Sequence, residues 1–263
     1  MPTTMPAAER ALDVLSALAA ASGPVTAAGL ARELGIPRSS VYQLLEVLVA
    51  RGFVTHLADE QRWTLGLTAF EVGSAYLRRD PLERIAQPLL RHLAKQAPIP
   101  VVAHLGVVRG HETVYLLKEH SDHPVTTVTD VGVRLPAALT ASGRAVLALL
   151  PRAQVRAQLS ARDAFVDRTG AGPQSMSALM ALLSQERRRG YAQEDGFITE
   201  GFGSVAIAVR GAHGEPTASI GLTFRSDTAS DSVRRRLAAG AGRCAEDLAQ
   251  RLLPGRSTSI VLS

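Results

Sequence analysis

The alternation of apolar and polar positions between residues 25 and 54 predicts two short helices joined by a tight turn. In the second helix, apolar residues recur three and four positions apart, as on a buried helical face. They are Val41, Leu44, Leu45, Leu48 and Val49. Thr26 suits a helix N-cap, Gly35 suits a left-handed C-terminal turn, and Pro37 lies where the second helix starts. The pattern therefore predicts a helix-turn-helix.

The opposite face of the second helix carries an arginine, hydroxyl groups and an amide. Such side chains can reach phosphates and base edges in the major groove of DNA. The predicted DNA-binding residues are Thr26, Arg38, Ser39, Ser40, Tyr42, Gln43 and Arg62. An ordinary helical hairpin with a solvated polar face would show the same local pattern.

The segment after the second helix favours the DNA interpretation. Strand-forming runs at 51–57 and 62–66 flank a turn at 58–61, which predicts a β-hairpin. A helix-turn-helix followed by a hairpin is a winged helix-turn-helix. Ahead of it, residues 7–21 predict another helix. The residues on its face toward the DNA-reading helix are Leu12, Leu15, Leu18 and Ala19.

Several motifs, taken in order along the chain, resemble the IclR family of bacterial transcriptional regulators. They are Glu9–Leu15, Leu30–Tyr42, Trp63–Gly66, Leu135–Pro136, Thr140–Ala145 and Arg189–Ala192. The resemblance extends from about Glu9 to Leu253. It implies a DNA-binding domain, a GAF-like sheet flanked by helices that binds a small effector, and assembly as a homodimer or a dimer of dimers.

Beyond the wing, strand and helix patterns follow one another, which predicts an α+β fold. We expect an N-terminal winged helix-turn-helix domain over residues 1–66 and a linker helix over 67–80. A C-terminal effector-binding α/β domain, which the resemblance makes GAF-like, should cover 81–254, and a tail 255–263. Residues 125–130 are expected to form the third strand of the second domain.

Composition changes this picture little. Of 263 residues, 46% are hydrophobic, which is enough for buried cores, and the net charge is +5. Residues 1–65 contain five arginines and six carboxylates, so the net charge of this segment does not indicate DNA binding. Only the positions of its arginines can indicate it. No secretory signal and no apolar run of membrane-spanning length is visible. A cytoplasmic protein without a membrane partner is expected.

Neither a metal site nor a catalytic site is expected. The single cysteine, Cys244, excludes an internal disulfide and a cysteine-based zinc site. Four histidines lie within twenty residues but mostly in turns and loops, where ligand spacing is not met: His104, His111, His120 and His123. No nucleophile elbow or phosphate-binding glycine loop occurs. We therefore expect no cofactor and no enzyme.

The predicted effector site begins where a short helix starts, near residue 140. The first N–H groups of a helix lack intrahelical partners and its dipole favours an anion, so a small organic or aromatic acid fits there. A strand pattern that alternates around His104 places its side chain in the same pocket. The residues are His104, Leu139, Thr140, Ala141, Ser142 and Gly143. The resemblance adds Glu194, Ser204, Gly221 and Thr223.

The last four positions depart from the family pattern, in which Asp, Cys, Ser and Ser are frequent. The absence of a side chain at Gly221 predicts a larger, less polar pocket and disfavours acids as small as glyoxylate or pyruvate. An alternative remains open, in which Ser204 and Thr223 are ordinary sheet residues and side chains fill the cavity.

Two functions of different classes remain. The first is a ligand-responsive transcription factor, repressor or activator, whose binding to double-stranded operator DNA a small effector modulates. The second is a GAF-type small-molecule-binding or enzymatic protein whose N-terminal domain serves only for assembly. One exposed helical face favours the first function, because an assembly helix would expose apolar residues there. Its residues are Arg38, Ser39, Tyr42 and Gln43.

Overall fold

The computed structural model divides the chain into two compact units, Met1–Asp80 and Pro81–Ser263. We call them the N-terminal unit and the C-terminal unit. The structure describes residues 5–21, 23–79, 81–123, 125, 127, 129–160, 165–211 and 213–252, without the side chains of 74–79 and 81. The helix and strand content of these residues confirms the α+β fold class.

The N-terminal unit is a helix-turn-helix with a wing. Its described elements are α1 (Pro6–Ala20), α2 (Ala27–Leu34), α3 (Arg38–Ala50), β1 (Val54–Leu57), β2 (Arg62–Leu65) and α4 (Leu67–Arg79). Strands β1 and β2 pair antiparallel. Trp63 also exchanges two backbone hydrogen bonds with Val25, of 2.8 and 2.9 Å, so the wing is tied to the start of α2.

Local signals set the ends of the helix-turn-helix. The Thr26 hydroxyl oxygen accepts the Gly29 N–H at 3.1 Å, as an N-cap does. Gly35 ends α2 with a φ of 65°, in the left-handed region that glycine adopts without strain. The core packs α3 against α1, α2 and the wing; its buried residues include Val14, Leu18, Leu30, Val41, Leu45, Leu48 and Trp63.

Three expected core positions in the N-terminal unit are wrong, and one of them, Ala19, is exposed on α1. Leu12 is 63% exposed, because α1 turns Val14, Ala17 and Leu18 toward the core instead. Val49 lies at the end of the apolar stripe of α3 and is 38% exposed. Periodicity finds the buried face of a helix but not how far along the helix the neighbouring elements cover it.

The C-terminal unit is built on a six-stranded sheet. Its described elements are α5 (Pro81–Lys95), β3 (Val102–Arg109), β4 (Glu112–His120), β5 (Arg134–Pro136), α6 (Ala141–Leu147), α7 (Arg152–Gln158), α8 (Met176–Arg189), β6 (Ala192–Asp195), β7 (Phe202–Arg210), β8 (Pro216–Arg225) and α9 (Asp231–Leu252). The strand order is β5-β4-β3-β8-β7-β6, and every neighbouring pair is antiparallel.

The two faces of this sheet have different roles. Along β8, Ile220, Leu222 and Phe224 point into the apolar core that α5 and α9 cover. The alternate residues, among them Gly221 and Thr223, therefore lie on the face where α6 packs. This second face carries the polar groups described below.

The strand expected at 125–130 is not found at residues 125, 127, 129 and 130, and its two remaining residues lie outside the described part. The sheet instead gains β5, which pairs with β4 and which local pattern did not reveal. Asp80 of the expected linker helix and the expected tail 255–263 also lie outside the described residues. The helices that the structure describes include none able to cross a membrane.

Candidate DNA-reading helix and effector cavity

Helix α3 presents its polar residues on the side away from the core. Arg38, Ser39 and Gln43 are exposed, whereas Ser40 is half-buried. The buried residues Val41, Leu45 and Leu48 anchor the other side and so fix this orientation. The exposed side offers a guanidinium, a hydroxyl and an amide for contacts with phosphates and base edges.

Tyr42 has a second role that its position in the sequence did not reveal. Its ring lies edge-on to Trp63, with centroids 5.7 Å apart. The Trp63 ring also stacks on His56 of the wing, at 4.4 Å. Aromatic contacts of this geometry stabilise beyond their buried area. Tyr42 therefore joins the reading helix to the wing while 40% of its surface stays exposed.

Thr26 and Arg62 lie together at the start of α2. The Thr26 hydroxyl caps that helix, and Arg62 donates from Nη1 to the Pro24 carbonyl at 2.8 Å. Arg32, which the sequence analysis did not single out, lies beside them around a shallow groove of about 360 Å³. The signal for it was its exposed place in the first helix of the motif.

A cavity of about 160 Å³ lies in the C-terminal unit between α6 and the sheet. Its lining residues are Tyr115, Thr127, Thr129, Leu135, Thr140, Ala141, Ser142, Glu194, Ile198, Thr199, Phe202, Ser204, Gly221 and Thr223. Seven of the ten residues expected at the effector site are among them; His104, Leu139 and Gly143 are not. The aromatic and aliphatic residues from β4, β5 and the 196–202 segment were not expected.

Three polar residues form a row across the wall of the cavity. We call these residues the Glu194–Ser204–Thr223 row. Backbone register places Glu194 opposite Ser204 and Ser204 opposite Thr223 on adjacent strands. The Ser204 hydroxyl donates to Glu194 Oε1 at 2.8 Å and lies 3.0 Å from the Thr223 hydroxyl. The Phe197 N–H donates to Glu194 Oε2 at 3.0 Å.

Glu194 is only 4% exposed. Burial raises the pKa of its carboxyl to about 6, although the hydrogen bonds from Ser204 and Phe197 and the charge of Arg144 act in the opposite direction. The cavity thus contains a carboxylate that is ionised at neutral pH, with no Lys, Arg or His among the described lining residues.

His104 supports the cavity from behind and does not line it. Its Nε2 atom lies 2.8 Å from the Thr129 hydroxyl, and its ring centroid lies 4.8 Å from that of Tyr115. Burial lowers the pKa of His104 to about 3, so the ring is neutral. His104 lies opposite Gly221 on the face where α6 packs, as the alternation along β3 predicts, but Thr129 and Tyr115, which contact its ring, line the cavity in its place.

Leu139 and Gly143 also do not line the cavity. The Leu139 side chain is buried and its carbonyl accepts a hydrogen bond from Arg144. Gly143 donates its N–H to the Thr140 hydroxyl at 3.0 Å, and a Cβ there would strike the backbone of Ala137. Both residues therefore position α6 and do not offer groups to a ligand.

Gly221 lines the cavity and also allows α6 to pack close to β8. A Cβ at this position would lie 2.6 Å from the Ser142 Oγ. The glycine thus allows α6 to approach β8 closely, so the space at Gly221 is shared between the cavity and the Ser142 hydroxyl. A larger residue would have to displace this hydroxyl.

Arg144 holds the walls of the cavity together, and sequence reasoning assigned it no role. Its side chain is fully buried and its Nε donates to both carboxylate oxygens of Glu186 on α8, at 3.0 and 3.2 Å. The remaining nitrogens donate to the carbonyls of Ala138, Leu139 and Gln193. One guanidinium thereby joins α6, α8 and β6.

No metal centre is visible in the described part of the chain. No group of three or more His, Cys, Asp or Glu side chains in that part is placed to hold an ion. Cys244 is buried in α9, where burial raises the pKa of its thiol to about 11. Its thiol is therefore not activated as a nucleophile at neutral pH.

Replacing Glu194 by glutamine should flatten the dependence of stability on pH. Between pH 4.5 and 6 the folded chain binds a proton that the unfolded chain has lost, so raising the pH through this window lowers the free energy of unfolding. The loss should approach roughly 2 kcal/mol at neutral pH. Chemical denaturation of both proteins from pH 4 to 8 measures it.

The exposed Glu200 provides the matched control, since Glu200→Gln changes the same group outside the cavity. This variant should keep the pH dependence of the parent protein. If Glu194→Gln kept it as well, the raised pKa of Glu194 would be refuted.

Comparisons with known proteins agree with this architecture. The model of the IclR helix-turn-helix domain matches residues 7–58. The model of the bacterial transcriptional regulator IclR C-terminal domain matches residues 74–250. Together these two matches span nearly all of the chain that the structure describes.

Individual proteins show the same similarity. The transcriptional repressor IclR of Escherichia coli K12 is 30% identical over 214 residues, 81% of this chain and 78% of that protein. The regulator BhcR of Paracoccus denitrificans is 31% identical over 228 residues, 86% and 80% of the two chains. An IclR homologue of Microbacterium hydrocarbonoxydans, solved with 4-hydroxybenzoate, has a TM-score of 0.73 at 22% identity and covers 92% of this chain and 98% of its own.

The last comparison, at that identity, bears on the fold alone. The two domain models and the two relatives of 30% identity or more bear on the family. With a winged helix-turn-helix in one unit and a helix-flanked sheet with a cavity in the other, the chain belongs to the IclR family of bacterial transcriptional regulators.

Proposed function

We propose that this chain places α3 in the major groove of its operator DNA and that an effector bound in the C-terminal cavity modulates this binding. The observation that carries the proposal is the two-sided character of α3. Its apolar residues are fixed in the core, so Arg38, Ser39 and Gln43 are left on the outer side. Thr26, Arg32 and Arg62 would contact phosphates beside it.

The effector is proposed to be a small organic or aromatic acid. Donors for its carboxylate would come from the N–H groups of Ala141 and Ser142, for which no acceptor is found among the described residues. The Ser142 hydroxyl is already hydrogen-bonded to Tyr115. Its body would contact the apolar walls at Leu135, Ile198 and Phe202. Thr140 contributes less than expected, because its hydroxyl already accepts from Gly143 and pairs with Thr113.

We further propose a homodimer or a dimer of dimers in the cytoplasm, without catalytic activity. A single winged helix contacts few base pairs, and two copies would read two half-sites. In support, α1 exposes Leu12, and α4 exposes Leu67 and Phe70, so each helix has uncovered apolar surface.

DNA binding at two salt concentrations tests the proposal. The full-length protein should bind the promoter region beside its own gene and keep its preference for this DNA over an unrelated duplex at moderate salt. Non-specific binding weakens steeply as counterions compete for the phosphates. If both duplexes were released in parallel as salt rises, the alternative of an N-terminal assembly domain would be favoured.

Replacing Gln43 by alanine should weaken operator binding by about 1–3 kcal/mol, because an amide on this face can form a bidentate pair with adenine. The loss should fall mainly on the specific duplex, as fluorescence anisotropy with both duplexes can show. Gln87→Ala, on the surface of the C-terminal unit, is the matched control and should bind as the parent does. An unchanged operator preference in Gln43→Ala would exclude base reading by this residue.

A further inference from the structure

The Glu194–Ser204–Thr223 row has a fixed direction of hydrogen bonding. With a pKa that burial raises only to about 6, Glu194 is mostly ionised at neutral pH, and a carboxylate can only accept hydrogen bonds. Ser204 therefore donates its one hydroxyl hydrogen to Glu194 Oε1. The 3.0 Å contact between Ser204 and Thr223 then requires Thr223 to be the donor.

This direction determines what the row offers to the cavity. Each hydroxyl has a single hydrogen, and those of Ser204 and Thr223 are already used within the row. The Thr223 oxygen and the free lone pairs of Glu194 are left, and all of them are acceptors. Both residues line the cavity, and no cation lies among its described lining residues.

A ligand that meets this wall with an acceptor or with a carboxylate would leave buried lone pairs opposed and unpaired, which is unfavourable in a desolvated site. We infer that the effector carries a hydrogen-bond donor, a hydroxyl or an amino group, that binds the Glu194–Ser204–Thr223 row, so that it is a hydroxylated or aminated acid and not a simple one. The inference rests on the proposed effector cavity and specifies which ligands it accepts.

The acids tested should be of similar size and differ in this donor, and alanine adds a positive charge on its protonated amino group. Benzoate, 4-hydroxybenzoate, 4-aminobenzoate and 4-methoxybenzoate form one set, and propionate, lactate and alanine another. Binding to the full-length protein is followed by calorimetry and by thermal shift, since a ligand of the native state raises its stability. In at least one set the hydroxyl or amino member should bind roughly 10- to 100-fold more tightly than the member without a donor. Comparison of hydroxyl with amino members distinguishes the two donors.

Glu194→Gln provides a sharper test, because it should reverse the direction of the hydrogen bonds in the Glu194–Ser204–Thr223 row. The Phe197 N–H needs an acceptor, so the amide oxygen of Gln would take the Oε2 position and its NH₂ group would face Ser204. Ser204 would then donate to Thr223, and Thr223 to the ligand. The preference for 4-hydroxybenzoate over 4-methoxybenzoate should disappear in this variant.

Thr223→Val should weaken the same preference without abolishing it, since it deletes the terminal acceptor of the row and leaves the lone pairs of Glu194. Thr217→Val on the same strand, exposed and outside the cavity, is the control and should bind as the parent does. If no donor-bearing acid bound more tightly than its counterpart, or if Glu194→Gln kept the full preference, the inference would be overturned. Operator binding by the unliganded protein is measured separately, so that failure of the proposed function is distinguished from failure of this inference.

Discussion

Replacing Arg144 by methionine is expected to lower the free energy of unfolding of the C-terminal unit by about 3–5 kcal/mol. The Arg144–Glu186 pair is fully buried on both sides. Removal of the guanidinium leaves the Glu186 carboxylate without its main partner, and three backbone carbonyls lose their donors. Such losses exceed the ordinary effect of a point mutation because the unpaired groups remain desolvated.

Calorimetry and circular dichroism measure this effect. Arg188→Met on α8 is the control, since Arg188 is exposed and its replacement should change stability by no more than about 0.5 kcal/mol. The double variant Arg144→Met/Glu186→Leu should be more stable than Arg144→Met alone, because it removes the orphaned charge together with its partner. A single variant as stable as Arg188→Met would show that the buried pair is dispensable.

Replacing Leu45 by alanine should lower the free energy of unfolding of the N-terminal unit by about 2–5 kcal/mol. Leu45 is 1% exposed and lies at the centre of the core that α3 shares with α1, α2 and the wing. A unit of this size has little stability to spare, so a large fraction should be unfolded at 37 °C. Operator affinity should fall in parallel, because the unfolded fraction cannot bind.

The fluorescence of Trp63 makes the measurement of unfolding specific for the N-terminal unit. It is the single tryptophan of the chain and is buried in the same core, so its fluorescence reports on the N-terminal unit. Val47→Ala is the control within α3, since Val47 is 61% exposed and its replacement should be nearly neutral for folding. Equal midpoints for Leu45→Ala and Val47→Ala in denaturant would contradict the assignment of this core.

The candidate site shows where prediction from sequence reaches its limit. Thr140, Ala141 and Ser142 could be proposed from the sequence because the start of a helix is locally encoded. Glu194, Ser204, Gly221 and Thr223 came from family resemblance, since they are far apart in the chain. Arg144 stands beside the predicted residues, yet its role depends on Glu186 and Gln193, which only the folded sheet and α8 bring within reach.

The sequence by itself determined the elements whose physics is local. The Thr26 cap, the left-handed Gly35, the apolar stripe of α3 and the β1–β2 hairpin each follow from a few neighbouring residues. The tertiary structure alone decided which apolar positions stay exposed, how β5 joins the sheet, and that His104 lies behind the cavity wall. It also decided the direction of the Glu194–Ser204–Thr223 row, because the register of three strands places the Glu194 carboxylate, which accepts hydrogen bonds, beside the Ser204 and Thr223 hydroxyls, and no single segment encodes this arrangement.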